Sequence, residues 1–384
     1  MTPMPPFGLR LPAHIRFGRG ALEAAVTEIT GFGPRLLLVH GRSGSRSAPL
    51  RAALEEAGCT VVGLSCPGEP TLAMLEQTLD AARAAAPDAV VAMGGGAALD
   101  LGKAVAALLP SGSAPLDHLE VVGAGRPLAA APLPCIAIPT TAGTGSEATK
   151  NAVIGVPEHA RKVSLRDDRM VPDLAVVDPA LTDGTPAPQT LASGLDAVVQ
   201  VIEPYLSARA TPFTDALARP AIEDGLRALV TLMEEGEDPG ARDRLAYTAH
   251  VSGIALANAG LGVVHGLAGP LGGETDAPHG AICARLLAPA LRALDGKLPA
   301  SSDGRARLRE VCDLVDGIVP GGLASLEAWL DAHGLPASPG LPDPMRERVA
   351  AAALASSSMK ASPVAFDWAD LSAMLDAAFP QAGR

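Results

Sequence analysis

The stretch "GLDAVVQVIE" (194–203) places two polar side chains, Asp196 and Gln200, four residues apart in a helical pattern. Positions i and i+4 lie on the same face of a helix, so both side chains could reach one ligand. A carboxylate and an imidazole at this spacing could hold a metal ion, but an amide is a weaker, neutral ligand. The residues alone leave three interpretations: half of a metal site, a site that has lost its metal, or a polar stripe.

The glycines of "MGGGAALDLGK" (93–103) follow a strand-like run and open a helical one, with Asp100 and Lys103 in the first turns. Backbone N–H groups at a helix N-terminus bind anions when no side chain stands in the way. The pattern is neither GxGxxG nor the P-loop. A tight turn without a ligand is the alternative, but three glycines at the carboxyl end of a strand favour nucleotide binding.

A second polar cluster, "PTTAGTGSEAT" (139–149), directly follows another strand-like run. Gly143 and Gly145 permit close approach to the backbone. Hydroxyl groups are offered by Thr140, Thr141, Thr144 and Ser146. This combination favours a ligand-binding loop over a loop of ordinary turn residues.

The elements that must position these clusters change character along the chain. Strand patterns at 35–40, 60–66, 89–96 and 135–140 alternate with helical patterns at 48–58, 71–86 and 97–109. Such alternation predicts a parallel sheet covered on both faces. Beyond the turn-rich "DGTPAP" (183–188) the pattern is helical, at 189–207, 213–235, 241–259, 280–293, 305–316, 345–359 and 370–378.

Composition narrows the class of protein. The net charge is −12 and no block of Lys or Arg occurs, which argues against nucleic-acid binding. No apolar run reaches the roughly 18 residues of a membrane span, and the N-terminus lacks the apolar core of a signal peptide. The five cysteines (Cys59, Cys66, Cys135, Cys283 and Cys312) show no CxxC or other metal-like spacing. They predict buried thiols in a reducing compartment, and hence a cytoplasmic protein.

Ordered segments along almost the whole chain resemble the group III, iron-containing alcohol dehydrogenases, relatives of dehydroquinate synthase. They include "GEPT" (68–71), "GGGAALDLGK" (94–103), "IPTTAGTGSEAT" (138–149), "GLDAVVQVIEPYLS" (194–207) and "PLGGETDAPHGAICARLLAPAL" (270–291). The resemblance implies a Rossmann-like α/β dinucleotide-binding domain (1–185) and an all-α metal and substrate domain (186–384), with the active site in the cleft between them. It also implies NAD(P)-dependent interconversion of a small aldehyde, ketone or keto acid and its alcohol. We further expect a homodimer.

The resemblance assigns cofactor contacts to particular residues. Those on the pyrophosphate and nicotinamide side are Gly94, Gly95, Gly96, Ala97 and Asp100, and those near the nicotinamide and its ribose are Thr140, Thr141, Thr144 and Thr149. Lys162 matches a further cofactor contact. In the loop "HGRSGSRS" (40–47), Gly41 and Arg42 stand where NAD-preferring relatives often carry Asp. Because Arg42 or Arg46 could pair with a 2′-phosphate, we expect NADP(H) to be preferred over NAD(H), with solvated loop arginines as the alternative.

The resemblance also implies a metal held by an Asp and three His. Asp196, His265 and His279 match three of these ligands, but Gln200 replaces the His expected four residues after Asp196. Another family His, close to the substrate, is replaced by Gly269. The remaining carboxylate and two imidazoles form a donor set that suits Fe or Zn, at reduced affinity. His265 is expected just before a helix, and His279 at the start of the next one.

Three functions therefore remain open. The first is a metal-dependent dehydrogenase in which Gln200 is a weak or indirect ligand. The second is a metal-independent reductase of the maleylacetate reductase type, with His265 or His279 as the proton donor. The third is a nucleotide-binding, catalytically dead relative. The segment "HGAICARLL" (279–287) resembles alcohol dehydrogenases and does not favour maleylacetate as substrate.

Overall fold

The computed structural model describes residues 6–159, 161–275, 277–336 and 340–380. These residues form two compact units. One consists of Arg10–Thr141 and Gly145–Asp183, and the other contains Ala142–Thr144 and the chain from Gly184 onward.

The first unit contains a six-stranded, all-parallel sheet in the order β1-β8-β5-β4-β2-β3. The strands are β1 (His14–Phe17), β2 (Arg35–Gly41), β3 (Thr60–Cys66), β4 (Ala89–Gly94), β5 (Cys135–Pro139) and β8 (Leu174–Val177). Strands β6 (Asn151–Val156) and β7 (Arg161–Arg166) form a separate, two-stranded antiparallel sheet. The predicted parallel sheet is confirmed.

Helices cover both faces of the sheet, as the buried central strands require. They are α1 (Ala21–Thr30), α2 (Ala48–Glu56), α3 (Leu72–Ala85) and α4 (Gly96–Leu108). One apolar cluster joins the sheet to α3 and α4, and another joins it to α1 and α2. Strand β4 is buried along its whole length because it lies between these two layers.

The strand order reverses between β2 and β4. From β2 the chain passes to β3 on one side, and from β4 it passes to β5 on the other. In open α/β sheets, ligands bind beyond the carboxyl ends of the strands at such a reversal. Gly41 ends β2 and Gly94 ends β4, so two of the predicted cofactor residues lie at this point.

The second unit is helical, which confirms the predicted fold class. Its helices are α5 (Ala187–Leu206), α6 (Pro212–Glu234), α7 (Pro239–Ala259), α8 (Val263–Glu274), α9 (His279–Lys297), α10 (Asp303–Ile318), α11 (Gly322–Ala332), α12 (Asp343–Leu354) and α13 (Trp368–Ala378). Helix α5 is apolar on nearly all sides and is buried against α6, α7 and α9.

Several elements differ from the sequence prediction. Helices α1 and α11, strands β1 and β8 and the β6–β7 hairpin were not predicted, and the helix expected after His265 (α8) begins earlier, at Val263. Helix α8 contains several glycines and Pro270, which obscure its helical pattern. The helix predicted at 345–359 ends at Leu354, and Ala355, Ser356 and Ser357 separate it from a short 3₁₀ turn at Ser358–Ala361.

No single helix in the described part of the chain is long and apolar enough to cross a membrane. Helices α7 and α8 together have the length and apolar composition of a membrane span, but they are bent by 102° at their junction. Buried core helices commonly have the same length and composition.

Candidate active site

Four potential metal-binding side chains converge in the helical unit. They are Asp196 of α5, His265 of α8, and His279 and Cys283 of α9, and one donor atom from each lies within 4.8 Å of all the others. The Nε2 atom of His265 is 3.3 Å from Asp196 Oδ1 and 3.7 Å from Cys283 Sγ. The Nε2 atom of His279 is 3.8 Å from the same carboxylate oxygen and 3.6 Å from the same sulfur. The structure therefore brings the three predicted ligands together.

Helix α9 supplies two of these donors because it begins at His279, as predicted, and places Cys283 one turn later on the same face. Gly280 lets this end of α9 lie against α5, since a Cβ there would be 2.1 Å from the carbonyl oxygen of Ala192. The close approach of the two backbones sets the distance between Asp196 and His279.

His265 lies inside α8 rather than before it, which corrects the sequence prediction. Its Nδ1 is hydrogen-bonded to Glu203 Oε2 at 2.7 Å, and the backbone N–H of Val264 donates to Glu203 Oε1 at 2.6 Å. Because Nδ1 is bonded to this buried carboxylate, Nε2 is the ring nitrogen that faces the other donors. Carboxylates orient metal-binding histidines in this way.

Sequence reasoning did not identify Glu203 as part of the site. The available signal was its position seven residues after Asp196, which is two turns along the same face of α5. A second signal was an acidic side chain in an otherwise apolar helix, because buried carboxylates need partners.

Gln200 is buried beside the cluster and is held by two hydrogen bonds. Its amide oxygen accepts from Ser252 Oγ at 3.4 Å, and its side chain hydrogen-bonds to Asp196. Gln200 thus supports the Asp196 carboxylate.

The sequence interpretation, which found no metal-like spacing among the cysteines, did not single out Cys283. This thiol is buried, as predicted, but it lies among imidazole and carboxylate groups. The missed signal was the i, i+4 spacing of His279 and Cys283, the same rule that singled out Asp196 and Gln200. Cys312 also differs from the prediction, because it is only partly buried.

The charges of the cluster stabilise one another. Burial alone would raise the pKa of Asp196, but His279, His265 and Gln200 hold it at about 2. Burial likewise opposes ionisation of Cys283, but the two imidazoles lower the pKa of its thiol below the usual value. Cys283 in turn raises the pKa of His279 to about 9, and Cys283 and Asp196 raise that of His265 despite its burial. A cation bound here would replace the imidazole protons.

Accessibility distinguishes the two histidines. The side chain of His265 is 6% exposed, whereas that of His279 is 40% exposed. Of the two predicted catalytic residues, His279 is therefore the one that a substrate can reach directly.

The predicted cofactor glycines lie at the reversal of the sheet in the other unit. Gly95 caps α4 in an extended conformation, and Gly96 is the first residue of that helix. A Cβ on Gly94 would be 2.7 Å from the Cβ of Ala98, so the strand-to-helix turn requires glycine there. Thr140, directly after β5, donates its backbone N–H to Gly94 at 2.9 Å. The ends of β4 and β5 thus bring the two predicted clusters together.

Asp100 and Thr149 make structural hydrogen bonds. Asp100 accepts from Ser146 Oγ at 2.5 Å and from the backbone N–H of Val153 at 2.8 Å. Thr149 Oγ1 is 2.8 Å from the fully buried Nζ of Lys103. Both side chains therefore fasten the segment after β5 to α4.

The other predicted cofactor residues have varied surroundings. Thr141 is half-buried beside Gly95, and Thr144 is exposed and belongs to the helical unit. Lys162 is on β7, 3.5 Å from Glu69. Arg42 follows β2, and its Nε donates to the carbonyl of Pro67 at 3.0 Å.

Comparison with known proteins gives the family. The profile described as "Iron-containing alcohol dehydrogenase" matches residues 12–179, and that of "Fe-containing alcohol dehydrogenase family, C-terminal" matches residues 190–379. The probable alcohol dehydrogenase EutG of Salmonella typhimurium is 36% identical over 78% of this chain and 79% of its own length. The NAD-dependent methanol dehydrogenase of Bacillus methanolicus is 34% identical over 71% of each chain.

Solved structures agree with this assignment. A crystal structure of an iron-containing alcohol dehydrogenase has a TM-score of 0.85 at 26% identity, covering 98% of this chain and 99% of its own. The alcohol dehydrogenase from Oenococcus oeni has a TM-score of 0.86 at 26% identity, with coverage of 97% and 100%. The chain belongs to the iron-containing alcohol dehydrogenase family.

The predicted enzyme class, an oxidoreductase that interconverts an alcohol and its carbonyl compound with a nicotinamide cofactor, is confirmed. The similar proteins are named alcohol dehydrogenases, so neither the maleylacetate reductase alternative nor the catalytically dead alternative is favoured.

Proposed function

We propose that this enzyme is a metal-dependent alcohol dehydrogenase that prefers NADP(H) and holds its metal with Asp196, His265 and His279. The observation that carries the proposal is the convergence of these three donors within the helical unit. Asp196 Oδ1 lies 3.3 Å and 3.8 Å from the Nε2 atoms of His265 and His279.

The chemistry of these residues fits a divalent ion. One carboxylate and two imidazoles suit Fe²⁺ or Zn²⁺. Glu203 keeps a proton on Nδ1 of His265, so Nε2 is free to act as a donor. When bound, such an ion supplies Lewis-acid stabilisation of negative charge on the substrate oxygen.

The metal-independent alternative gives His279 a different task, which is to exchange a proton with the substrate oxygen. Its side chain is the accessible one, and without a bound metal neighbouring Cys283 and Asp196 raise its pKa to about 9. An imidazolium at this position can donate the proton that an alkoxide needs after hydride transfer to a carbonyl. A metal bound to His279 would replace that proton, so the two tasks exclude each other.

For the cofactor, we propose that the pyrophosphate binds at the start of α4. The backbone of Gly94, Gly95, Gly96 and Ala97 lies at a helix N-terminus beside the reversal of strand order, which supports an anion site. Thr140, Thr141, Thr144 and Lys162 remain proposed contacts to the nicotinamide half. For Asp100 and Thr149, the observed hydrogen bonds support an indirect role, in which they order the segment that carries these threonines.

The preference for NADP(H) rests on the end of β2. Gly41 and Arg42 offer no carboxylate to repel a 2′-phosphate, and the guanidinium of Arg42 provides a positive charge. The Bacillus methanolicus relative is named NAD-dependent. The preference is therefore proposed for this chain and not for its relatives.

The experiment is a comparison of NADPH and NADH oxidation with a panel of small aldehydes, ketones and keto acids. We expect a higher kcat/KM with NADPH, loss of activity after chelation, and recovery when Zn²⁺ or Fe²⁺ is returned. Arg42→Gln should lower kcat/KM for NADPH by about tenfold, the effect of one exposed charge-assisted contact, and leave NADH unchanged. Arg227→Gln, on the exposed face of α6, is the matched control.

Two outcomes would contradict parts of this proposal. Full activity after complete removal of metal would favour the metal-independent reaction with His279 as proton donor. An equal or higher kcat/KM with NADH would refute the proposed cofactor preference.

We also propose a cytoplasmic homodimer. The free thiols of the described cysteines support a reducing compartment. The dimer rests on the family resemblance alone, and light scattering of the purified protein tests it.

A further inference from the structure

We propose that Cys283 is a metal ligand, and that this chain has an Asp–His–His–Cys site that selects Zn²⁺ over Fe²⁺. The inference rests on the proposed metal-dependent function and goes beyond it. It assigns a fourth donor of a type that the family pattern of one Asp and three His does not contain.

The spacing of the donor atoms supports this assignment. A tetrahedral zinc ion has Zn–N distances of about 2.0 Å and a Zn–S distance of about 2.3 Å, which separates its donors by about 3.3–3.6 Å. The sulfur of Cys283 is 3.7 Å from Nε2 of His265 and 3.6 Å from Nε2 of His279. Asp196 Oδ1 is 3.3 Å and 3.8 Å from the same nitrogens. These four separations are close to those that one zinc ion requires, and the other two lie within 4.8 Å.

The surroundings of Cys283 differ from those of a structural thiol. A buried cysteine normally behaves as a small apolar side chain. Cys135 fits that description, since it packs in the apolar cluster beneath α4. Cys283 is fully buried, yet its sulfur contacts two imidazole nitrogens. An apolar role for its side chain does not explain this position.

Cys283 also supplies a fourth ligand in place of the histidine that Gln200 replaces. Gln200 bonds to Asp196 and its oxygen accepts from Ser252, so its polar groups already have partners and three strong donors remain. A thiolate at position 283 completes four donors.

The donor type determines the expected metal. Thiolates are soft ligands that favour zinc, whereas a site of only carboxylate and imidazole groups accepts Fe²⁺ readily. Zn²⁺ also stands above Fe²⁺ in the general order of affinities for divalent ions. We therefore expect the enzyme to contain about one zinc per chain when it is produced in medium that supplies both metals.

The test uses the full-length protein loaded with Co²⁺, which reports thiolate coordination as an intense near-ultraviolet charge-transfer band. Wild type should bind one Co²⁺ per chain and show this band. Cys283→Ser should lose the band and bind Zn²⁺ at least about 100-fold more weakly, since even indirect partners of metal ligands contribute 10–100-fold. Cys312→Ser, on α10, is the control and should match wild type.

X-ray absorption of the zinc-loaded wild type provides a second measurement that needs no variant. We expect one sulfur neighbour at about 2.3 Å. A zinc site without sulfur would overturn the inference, as would one bound Co²⁺ without the charge-transfer band. Either result, with metal-dependent carbonyl reduction intact, would leave the proposed function standing. A wild type that binds no metal would overturn both the ligand assignment and the metal-dependent function.

Discussion

Gly280 sets the separation of α5 and α9, so Gly280→Ala is the sharpest test of the site geometry. A Cβ at this position would lie 2.1 Å from the carbonyl oxygen of Ala192 and 2.7 Å from its carbonyl carbon. These are backbone atoms, which cannot rotate away as a flexible side chain would. The alanine variant must therefore move one helix relative to the other.

The size of this movement follows from the contact distance. Ordinary contact with a Cβ begins at 3.4 Å, so the oxygen of Ala192 and the new carbon must separate by about 1.3 Å. Overpacking of this kind costs about 1–3 kcal/mol of unfolding free energy. A binding site tolerates displacements of only about 0.5 Å. Because Asp196 and His279 are on opposite sides of this contact, we expect metal affinity to fall by at least about tenfold.

Urea unfolding and titration with Zn²⁺ against a competing chelator measure the two effects. Gly296→Ala is the matched control, because it lies in the same helix and a Cβ there meets no atom within 4 Å. Its stability should change by no more than about 1 kcal/mol, in the stabilising direction expected for Ala in a helix. If the Gly280 and Gly296 variants gave the same stability and the same zinc affinity, the argument from helix contact would be refuted.

Further predictions concern buried charges. Glu203→Gln should weaken Zn²⁺ binding by about 10–100-fold in the same chelator competition, because His265 loses its carboxylate partner. Glu223→Gln, in an exposed ion pair of α6, should leave binding unchanged, and equal affinities of the two variants would contradict the assigned role. Lys103→Met should lower the unfolding free energy by about 3 kcal/mol in urea, because a buried cation and its hydrogen bonds are lost. Lys150→Met, in a partly exposed ion pair, should change it by less than about 1 kcal/mol, and a similar loss in both would argue against a special role for Lys103.

Most elements of the sheet could be predicted from sequence because their signals are local. Strand β3 was predicted at 60–66 and is observed at Thr60–Cys66, since its apolar run is bounded by glycine and proline turns. The helix expected after His265 was misplaced, because glycines and Pro270 obscure the helical pattern of α8. Gly266 allows close packing, since a Cβ there would be 2.4 Å from the sulfur of Met359, whereas a Cβ on Gly269 would meet no atom within 4 Å. Tertiary contact overrides helix propensity here.

In the site, too, residues that belong to a sequence motif could be predicted, whereas residues that only the fold brings together could not. The family motif supplied Asp196, His265 and His279 as candidate ligands, and the structure brings them together. Spacing along one helix can place two side chains on a common face, but it does not tell which helices meet. Glu203 and Cys283 can be recognised as site residues only in the folded chain, where α5 and α9 bring them into contact with His265.

The buried ammonium group of Lys103 has a consequence for the entropy of cofactor binding. It donates to the carbonyls of Ser146 and Asn151 and to the hydroxyl of Thr149, all in the segment that follows β5. These bonds fix that segment as the chain folds. If this segment contacts a dinucleotide as proposed, binding would have less conformational freedom left to remove, and more of the contact energy would appear as affinity. The ammonium group would then contribute to binding without touching the ligand, through the order that it imposes on the segment beforehand.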